Sequence, residues 1–403
     1  MDCSLLVIMA QKNLQTVRTR WIPGKRQAVS RDMFDILRKG DESGNNMIIR
    51  MRLSSGREIF GFATENTYGG EWGLGPTWAY LIASEPPLLL DVGRRGNGGK
   101  LLDMMQYSGF DPHELELVVL SHGHEDHDGG LFEFIERTRA KIVAHKTYGH
   151  LIRPYPQKAP SKEKKGFPAA CWQCPMPESF WKKNCVQYHK ERAGLPVEGL
   201  DGSGKNLADG ISVFHVPGHS PDSIALLIDK EVMLVGDTIL PDITPHPTCE
   251  HTFRMTKGIF QGHYREADEV YGLRAYISSL RRLKAVGNEI PSLVVLPGHR
   301  LFYQNRWNHM DLVARIAELT DHHVQRCGDI LKSLGDGPKR PEEIARECFE
   351  ERLLKGFGIT MALNEVLSHC ELLEISKDVV FEEDGKISLT HETGFESLIR
   401  DLR

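Results

Sequence analysis

The segment Ser121-His122-Gly123-His124-Glu125-Asp126-His127-Asp128-Gly129-Gly130 crowds imidazoles and carboxylates into a few consecutive positions. Neutral imidazole and carboxylate are the usual ligands of catalytic zinc. The segment follows Leu117-Val118-Val119-Leu120, a buried-strand pattern, and precedes a helical pattern over Leu131 to Thr138. The cluster is therefore expected at the carboxyl end of a strand, where open α/β sheets place their ligands. A polar loop that is merely His-rich is the weaker reading, because the chain holds only 18 histidines.

Three later segments share one form. Val216-Pro217-Gly218-His219, Val235-Gly236-Asp237-Thr238 and Leu296-Pro297-Gly298-His299 each put one potential ligand in a turn just past a strand. Glycine beside the ligand permits the sharp turn. Ligands in this number suit two metals with positions left open for water.

This ordered set resembles the metallo-β-lactamase superfamily, whose pattern is a strand-end Asp, then His-x-His-x-Asp-His, His, Asp and His. Asp91, His122, His124, Asp126, His127, His219, Asp237 and His299 match it in order, and the resemblance covers roughly residues 47 to 305. It implies an α/β chain whose catalytic part is an αββα sandwich. It implies that His122, His124 and His219 hold one metal, that Asp126, His127 and His299 hold the second, and that Asp237 bridges them. Asp91 would orient the ligand loop by hydrogen bonds, and Asp126 would be the catalytic residue that orients the attacking water or takes its proton. The expected cofactors are two divalent metal ions, zinc first, with iron or manganese as alternatives.

Asp at 237, where lactam-cleaving members often carry Cys, resembles glyoxalase II-like and nuclease-like hydrolases more closely. His124 stands where flavodiiron oxygen reductases have Glu, and Asp222 stands where many relatives have Gly. The expected reaction is hydrolysis of a thioester, ester or phosphodiester. The alternatives are a mononuclear iron enzyme like the persulfide dioxygenases and a nucleic-acid-processing nuclease.

Other residues carry weaker signals. Cys171-Trp172-Gln173-Cys174, Cys185 and His189 have spacing compatible with a small structural metal clip, against the plainer reading of reduced thiols. Arg94 and Arg95 follow the Asp91 strand and are candidates to grip an anionic substrate group. His145, His215, His246 and His251 are expected to be structural or to line the pocket.

The elements that position these residues are read from periodicity. Residues 1 to 46 form an extension, 47 to 308 the catalytic domain with an insertion at 153 to 210, and 309 to 403 an appended unit. In that unit helices are expected over Asp311 to Leu334, from Pro341, and over Thr360 to Ile375, followed by a hairpin around Asp384-Gly385. Three helices plus a hairpin resemble a winged helix, as in β-lactamase-like hydrolases that include an endoribonuclease. The third helix has no Lys or Arg and carries Glu365, Glu371 and Glu374, so duplex DNA is not an expected partner. A small-molecule substrate is expected, with RNA and a homo-oligomer as further candidates.

The chain has 403 residues, 40% hydrophobic and 26% charged, with a formal net charge of −5. Nothing in that balance suggests a general nucleic-acid binder, which would show a basic excess, although a local basic face stays open, and the composition is that of a globular rather than a disordered chain. No apolar run approaches the roughly 20 residues of a membrane span, so no membrane partner is expected. Asp2 precedes the short Leu5–Ala10 run, which does not make a secretion signal; a cytoplasmic protein with reduced cysteines is the expectation.

Overall fold

The computed structural model describes residues 8–9, 33–66, 73–154, 167–171, 182, 185–202, 204, 206–260, 262–356, 358–390 and 392–402. Two sheets stack at its centre. The first is eight-stranded with neighbours in chain order: Asp35–Arg38, Ile48–Arg52, Glu58–Thr64, Thr77–Ile82, Leu88–Leu90, Leu117–Val119, Lys141–His145 and Val197–Leu200. Pairing is antiparallel up to Leu88–Leu90 and parallel from there on. Parallel neighbours need a crossover; Gly98–Tyr107 and Leu131–Thr138 supply two of them.

Side chains alternate between the faces of this sheet, as the period of a strand dictates. Phe60, Phe62, Leu81, Leu89, Val118 and Ile142 pack under the crossover helices. Ile59, Ala63, Tyr80, Leu88, Leu90 and Val119 face the second sheet. That sheet is five-stranded, in the order Asn206–Ala208, Ile211–His215, Ile224–Ile228, Val232–Gly236 and Val294–Pro297. Val213, Leu226, Leu234 and Leu296 point into the seam. Ala225, Met233, Val235 and Val295 point outward onto helix Gly272–Glu289. The layers are thus helix, sheet, sheet, helix, as the αββα expectation requires.

At one end the sheets touch: Trp78 N donates to Gly298 O at 2.8 Å, and Thr77 bridges to His299.

Two parts of the chain depart from the expected boundaries. Asp35–Arg38 lies within the supposed N-terminal extension yet pairs with Ile48–Arg52. The supposed insertion 153–210 contributes Val197–Leu200 to the first sheet and Asn206–Ala208 to the second. Val197–Leu200 lacks the continuous apolar run of a central strand because it is an edge.

Beyond Trp307 come helices Leu312–Leu334, Pro341–Cys348 and Gly358–Ile375, a hairpin of Val379–Phe381 with Ile387–Leu389, and helix Phe395–Leu402. Asp311 caps the first helix, accepting from Ala314 N at 2.8 Å. Ile316, Leu319, Ile330, Val366 and Leu373 share one core with Leu280, Leu283 and the outer face of the second sheet. No described helix is long and apolar enough to cross a membrane.

Candidate metal centre

The matched residues lie in the loops that follow strand ends and, for Asp126 and His127, in a short helix, and these segments are held by specific bonds. Asp91 follows Leu88–Leu90 with φ 62°, which turns its carboxylate back toward the neighbouring strand end. It accepts from Ser121 N and Ser121 Oγ at 2.7 Å each, and from His127 Nδ1 at 2.8 Å. The short helix Glu125–Asp128 follows at once, with His127 N donating to His124 O at 3.0 Å. Asp91 thus ties both ends of the His-rich loop. Asp91→Asn is expected to weaken metal binding by ~10–100-fold, the usual effect of losing a ligand's hydrogen-bond partner. Metal titration of the demetallated protein checks this.

The second sheet supplies the remaining residues, and helix Gly272–Glu289 props their loops. Ser279 Oγ donates to Pro217 O at 2.7 Å, and Tyr276 OH donates to Thr238 O at 2.8 Å. Gly218 has φ 129°, and a Cβ there would meet the Tyr276 Cα at 2.4 Å. Gly218→Ala is therefore expected to cost about 1–3 kcal/mol or more, through overpacking plus backbone strain. A lowered urea midpoint at unchanged m-value checks it. Gly298 is needed for a different reason: a Cβ would lie 2.4 Å from Asp237 Oδ1.

The ligand atoms converge in two groups. His122 Nε2 lies 2.9 Å from His124 Nδ1, which lies 3.2 Å from His219 Nε2. His299 Nε2 lies 3.3 Å from His127 Nε2 and 3.2 Å from Asp126 Oδ2. Asp237 reaches both groups: its Oδ1 is 3.3 Å from His127 Nε2, and its Oδ2 is 3.5 Å from His299 Nε2 and 3.9 Å from His219 Nε2. His122, His127 and Asp237 also converge. The structure brings the residues singled out from the sequence into one buried cluster, with groupings that include His122/His124/His219, Asp126/His127/His299 and His122/His127/Asp237.

The donor set fits cations. Nδ1 of His219 faces the His246 carbonyl at 3.1 Å, and Nδ1 of His299 faces the Pro76 carbonyl at 3.1 Å. A carbonyl only accepts, so these Nδ1 atoms carry the protons and the Nε2 lone pairs point inward. His127 is oriented likewise by Asp91. Asp126 Oδ1 and both Asp237 oxygens are buried with no hydrogen-bond partner. Buried carboxylate oxygens left so are costly unless a cation meets them. Burial, reinforced by His127 and His124, holds His122 well below the usual imidazole range. Burial pushes Asp237 up, but His299 and His127 more than offset it, so its carboxyl stays below the usual range. Burial pushes His127 down, but Asp237 and Asp91 more than offset it and hold it well above the usual imidazole range, so a cation there would have to displace its proton. Unprotonated imidazole and ionised carboxylate are the ligand forms.

The remaining candidates fall out differently. Arg95 is committed to Glu191 of helix Val186–Ala193 through a two-pronged pair at 2.8 and 2.9 Å, so it is not offered to an anion. Arg94 lies half-buried in the same turn. The Cys171 side chain and all of Cys174 lie outside the described residues; Cys185 is a buried free thiol at the start of the helix that carries buried His189. His145 and His215 stack face to face at 3.7 Å, and burial, the main cause for each, holds them down to about 2 and about 4. His246 contributes its carbonyl to His219. His251 approaches Glu371 at 3.1 Å and, with Cys249, makes a further grouping, but Glu371 is occupied in accepting from Glu250 N and His251 N.

Asn66 was not expected: its Nδ2 donates to Asp126 Oδ2 at 3.2 Å. Its only sequence signal is a polar residue after the strand Glu58–Thr64 and before a glycine-rich loop.

This fold and donor set define a metal-dependent hydrolase. The chain belongs to the metallo-β-lactamase superfamily, whose family model matches residues 72–299. It is 23% identical over 329 residues to the Bacillus subtilis (strain 168) protein named "Probable metallo-hydrolase YqjP", covering 77% of this chain and 92% of that one. A second protein of that strain, "Probable metallo-hydrolase YflN", is 24% identical over 197 residues, 47% of this chain and 70% of its own. Among solved structures, a β-lactamase domain protein from Burkholderia ambifaria superposes with TM-score 0.61 at 18% identity, over 89% of this chain and 98% of that one. A metallo-β-lactamase family protein from Thermus thermophilus gives 0.56 at 22%, over 82% and 98%.

Proposed function

We propose that this chain hydrolyses a thioester, ester or phosphodiester with two divalent metal ions, zinc first among them. The observation that carries the reading is the pair of convergent triads, His122/His124/His219 and Asp126/His127/His299, flanking an otherwise unpartnered Asp237. His122, His124 and His219 would hold one ion, Asp126, His127 and His299 the other, and Asp237 would touch both. Bound cations supply Lewis acidity, which lowers the proton affinity of a water and polarises the carbonyl or phosphoryl centre it attacks. Asp126 holds the proton that the water gives up, and Asn66 fixes the Asp126 carboxylate by its hydrogen bond. His124, half-buried where the other histidines of the site are buried, marks the side from which substrate enters. Asp at 237 favours the glyoxalase II-like and nuclease-like branches. The carboxylates of the site weigh against the mononuclear iron reading, since one ion leaves Asp126 and Asp237 only partly satisfied.

Residues 309–403 fit a winged-helix-like unit in the order of their helices and hairpin. Their third helix faces the catalytic part rather than a groove: Asn364 O accepts from Cys249 Sγ, and Glu371 accepts from the 250–251 backbone. These contacts favour a pocket-wall role over duplex DNA binding. The test is metal content of the purified protein alongside a panel of thioester, lactone, phosphodiester and RNA substrates. About two ions per chain with turnover of one class supports the reading. One iron per chain with oxygen uptake overturns it.

A further inference from the structure

Helix Val186–Ala193 belongs to the stretch between the His127 and His219 loops, yet consecutive residues of it bind two loops of the metal centre. Glu191 takes Arg95, from the turn after Asp91. Arg192 goes deeper and is 2% exposed. Its Nη1 donates to Gly123 O at 3.0 Å and to Asp128 Oδ2 at 2.9 Å. Gly123 carries the peptide between His122 and His124; Asp128 follows His127. One guanidinium nitrogen therefore joins the beginning and the end of the loop that presents four of the matched side chains. Two further donors meet the Asp128 carboxylate around this link: Tyr148 OH donates to Oδ2 at 2.8 Å, and Tyr188 OH donates to Oδ1. Tyr188 sits one turn before Arg192 on the same helix, and the guanidinium lies 4.4 Å over its ring. The side chains of Asp128, Tyr148, Tyr188 and Arg192 are buried.

We propose that Arg192 is a positioning residue for the metal ligands His122 and His124, acting through the Gly123 carbonyl and Asp128, and that Tyr188 supports it. This rests on the metal-site reading above. Fixing the peptide between two ligands fixes the backbone from which both imidazoles project. A ligand set preorganised in this way spends less free energy on ordering when a cation arrives. A buried Arg–carboxylate pair at a surface-remote position gives little net stability over an apolar pair, so its use here is geometric.

The experiment titrates the demetallated full-length chain with Co²⁺ against a competing chelator, reading affinity and the visible absorption of the bound ion. The variants are Arg192→Met, Arg192→Lys and Tyr188→Phe, with thermal unfolding of each demetallated protein measured in parallel. Arg192→Met is expected to lose ~10–100-fold in affinity, with altered absorption bands. Arg192→Lys should recover part of the loss. Tyr188→Phe keeps charge and nearly keeps volume, so it folds even if Arg192→Met does not, and a measurable loss of affinity with shifted bands is expected there too. Folded variants that bind Co²⁺ within about twofold of the unaltered chain with an unchanged spectrum overturn the proposal, even where thermal stability falls. If the unaltered chain itself binds no cation, the metal-site reading fails first, and the two failures are distinct.

Discussion

His299→Ala is expected to leave a folded chain that has lost ~10³-fold or more in kcat/KM, because a missing ligand removes several kcal/mol of transition-state charge stabilisation. His299 Nε2 lies within reach of His127, Asp126 and Asp237 at once, at 3.3, 3.2 and 3.5 Å. Its loss strips one triad and leaves the Asp237 oxygens with less to meet. The fold survives because the residue lies past the end of Val294–Pro297, and the Thr77 bridge to position 299 and the Trp78 N to Gly298 O bond are made by backbone. His122→Ala should act alike through the other triad. Kinetics with the best substrate of the panel, metal content and circular dichroism check both. Activity near that of the unaltered chain in either variant rejects the ligand assignment.

Asp126→Asn separates holding an ion from using it. The amide is nearly the same size and can still offer one oxygen, so part of the metal stays. It cannot take a proton, so turnover is expected to fall by ~10²–10⁴-fold, the range of a lost general base. Asp126 Oδ2 receives Asn66 Nδ2 and faces His299 Nε2, while Oδ1 is buried without a partner. On the proposed reading, that unpartnered oxygen would be the one to meet the attacking water. Metal content that falls only modestly beside a large loss of kcat is the expected pair of results. Unchanged kcat removes Asp126 from the proton path.

Much of the candidate centre was legible from the chain alone because each candidate ligand is announced locally. His122 to His127 form one run, and His219, Asp237 and His299 each follow a hydrophobic strand and a glycine. The central strands were legible for the same reason, since Leu88–Leu90 and Val232–Gly236 are continuous apolar runs buried on both faces; their arrangement as a sandwich was implied by the family resemblance. What escaped is what depends on distant partners. Arg192 lies in a basic, polar stretch, and nothing near it in sequence says that its nitrogen meets Gly123, 69 positions away. Arg95 looked available because its partner, Glu191, is 96 positions off. The edge strands Asp35–Arg38 and Val197–Leu200 lack a clean alternation, since edge strands pack one side against little.

The ligands also differ in where they lie along the chain. His127 and His299 are 172 positions apart, and His124 and His219 are 95 apart. An ion gripped between such pairs is a chelate tie across very large loops, and it removes chain entropy as a disulfide would: about 4.7 kcal/mol for a loop of ~100 residues that stays closed in the unfolded ensemble. The two sheets already touch at this end through the backbone at Trp78 and Gly298. On the proposed reading, bound ions would add a second fastening there, one that a chelator could withdraw without cutting a covalent bond. Demetallation should therefore be felt as faster amide exchange along the whole seam between the sheets, well beyond the loops that carry the histidines.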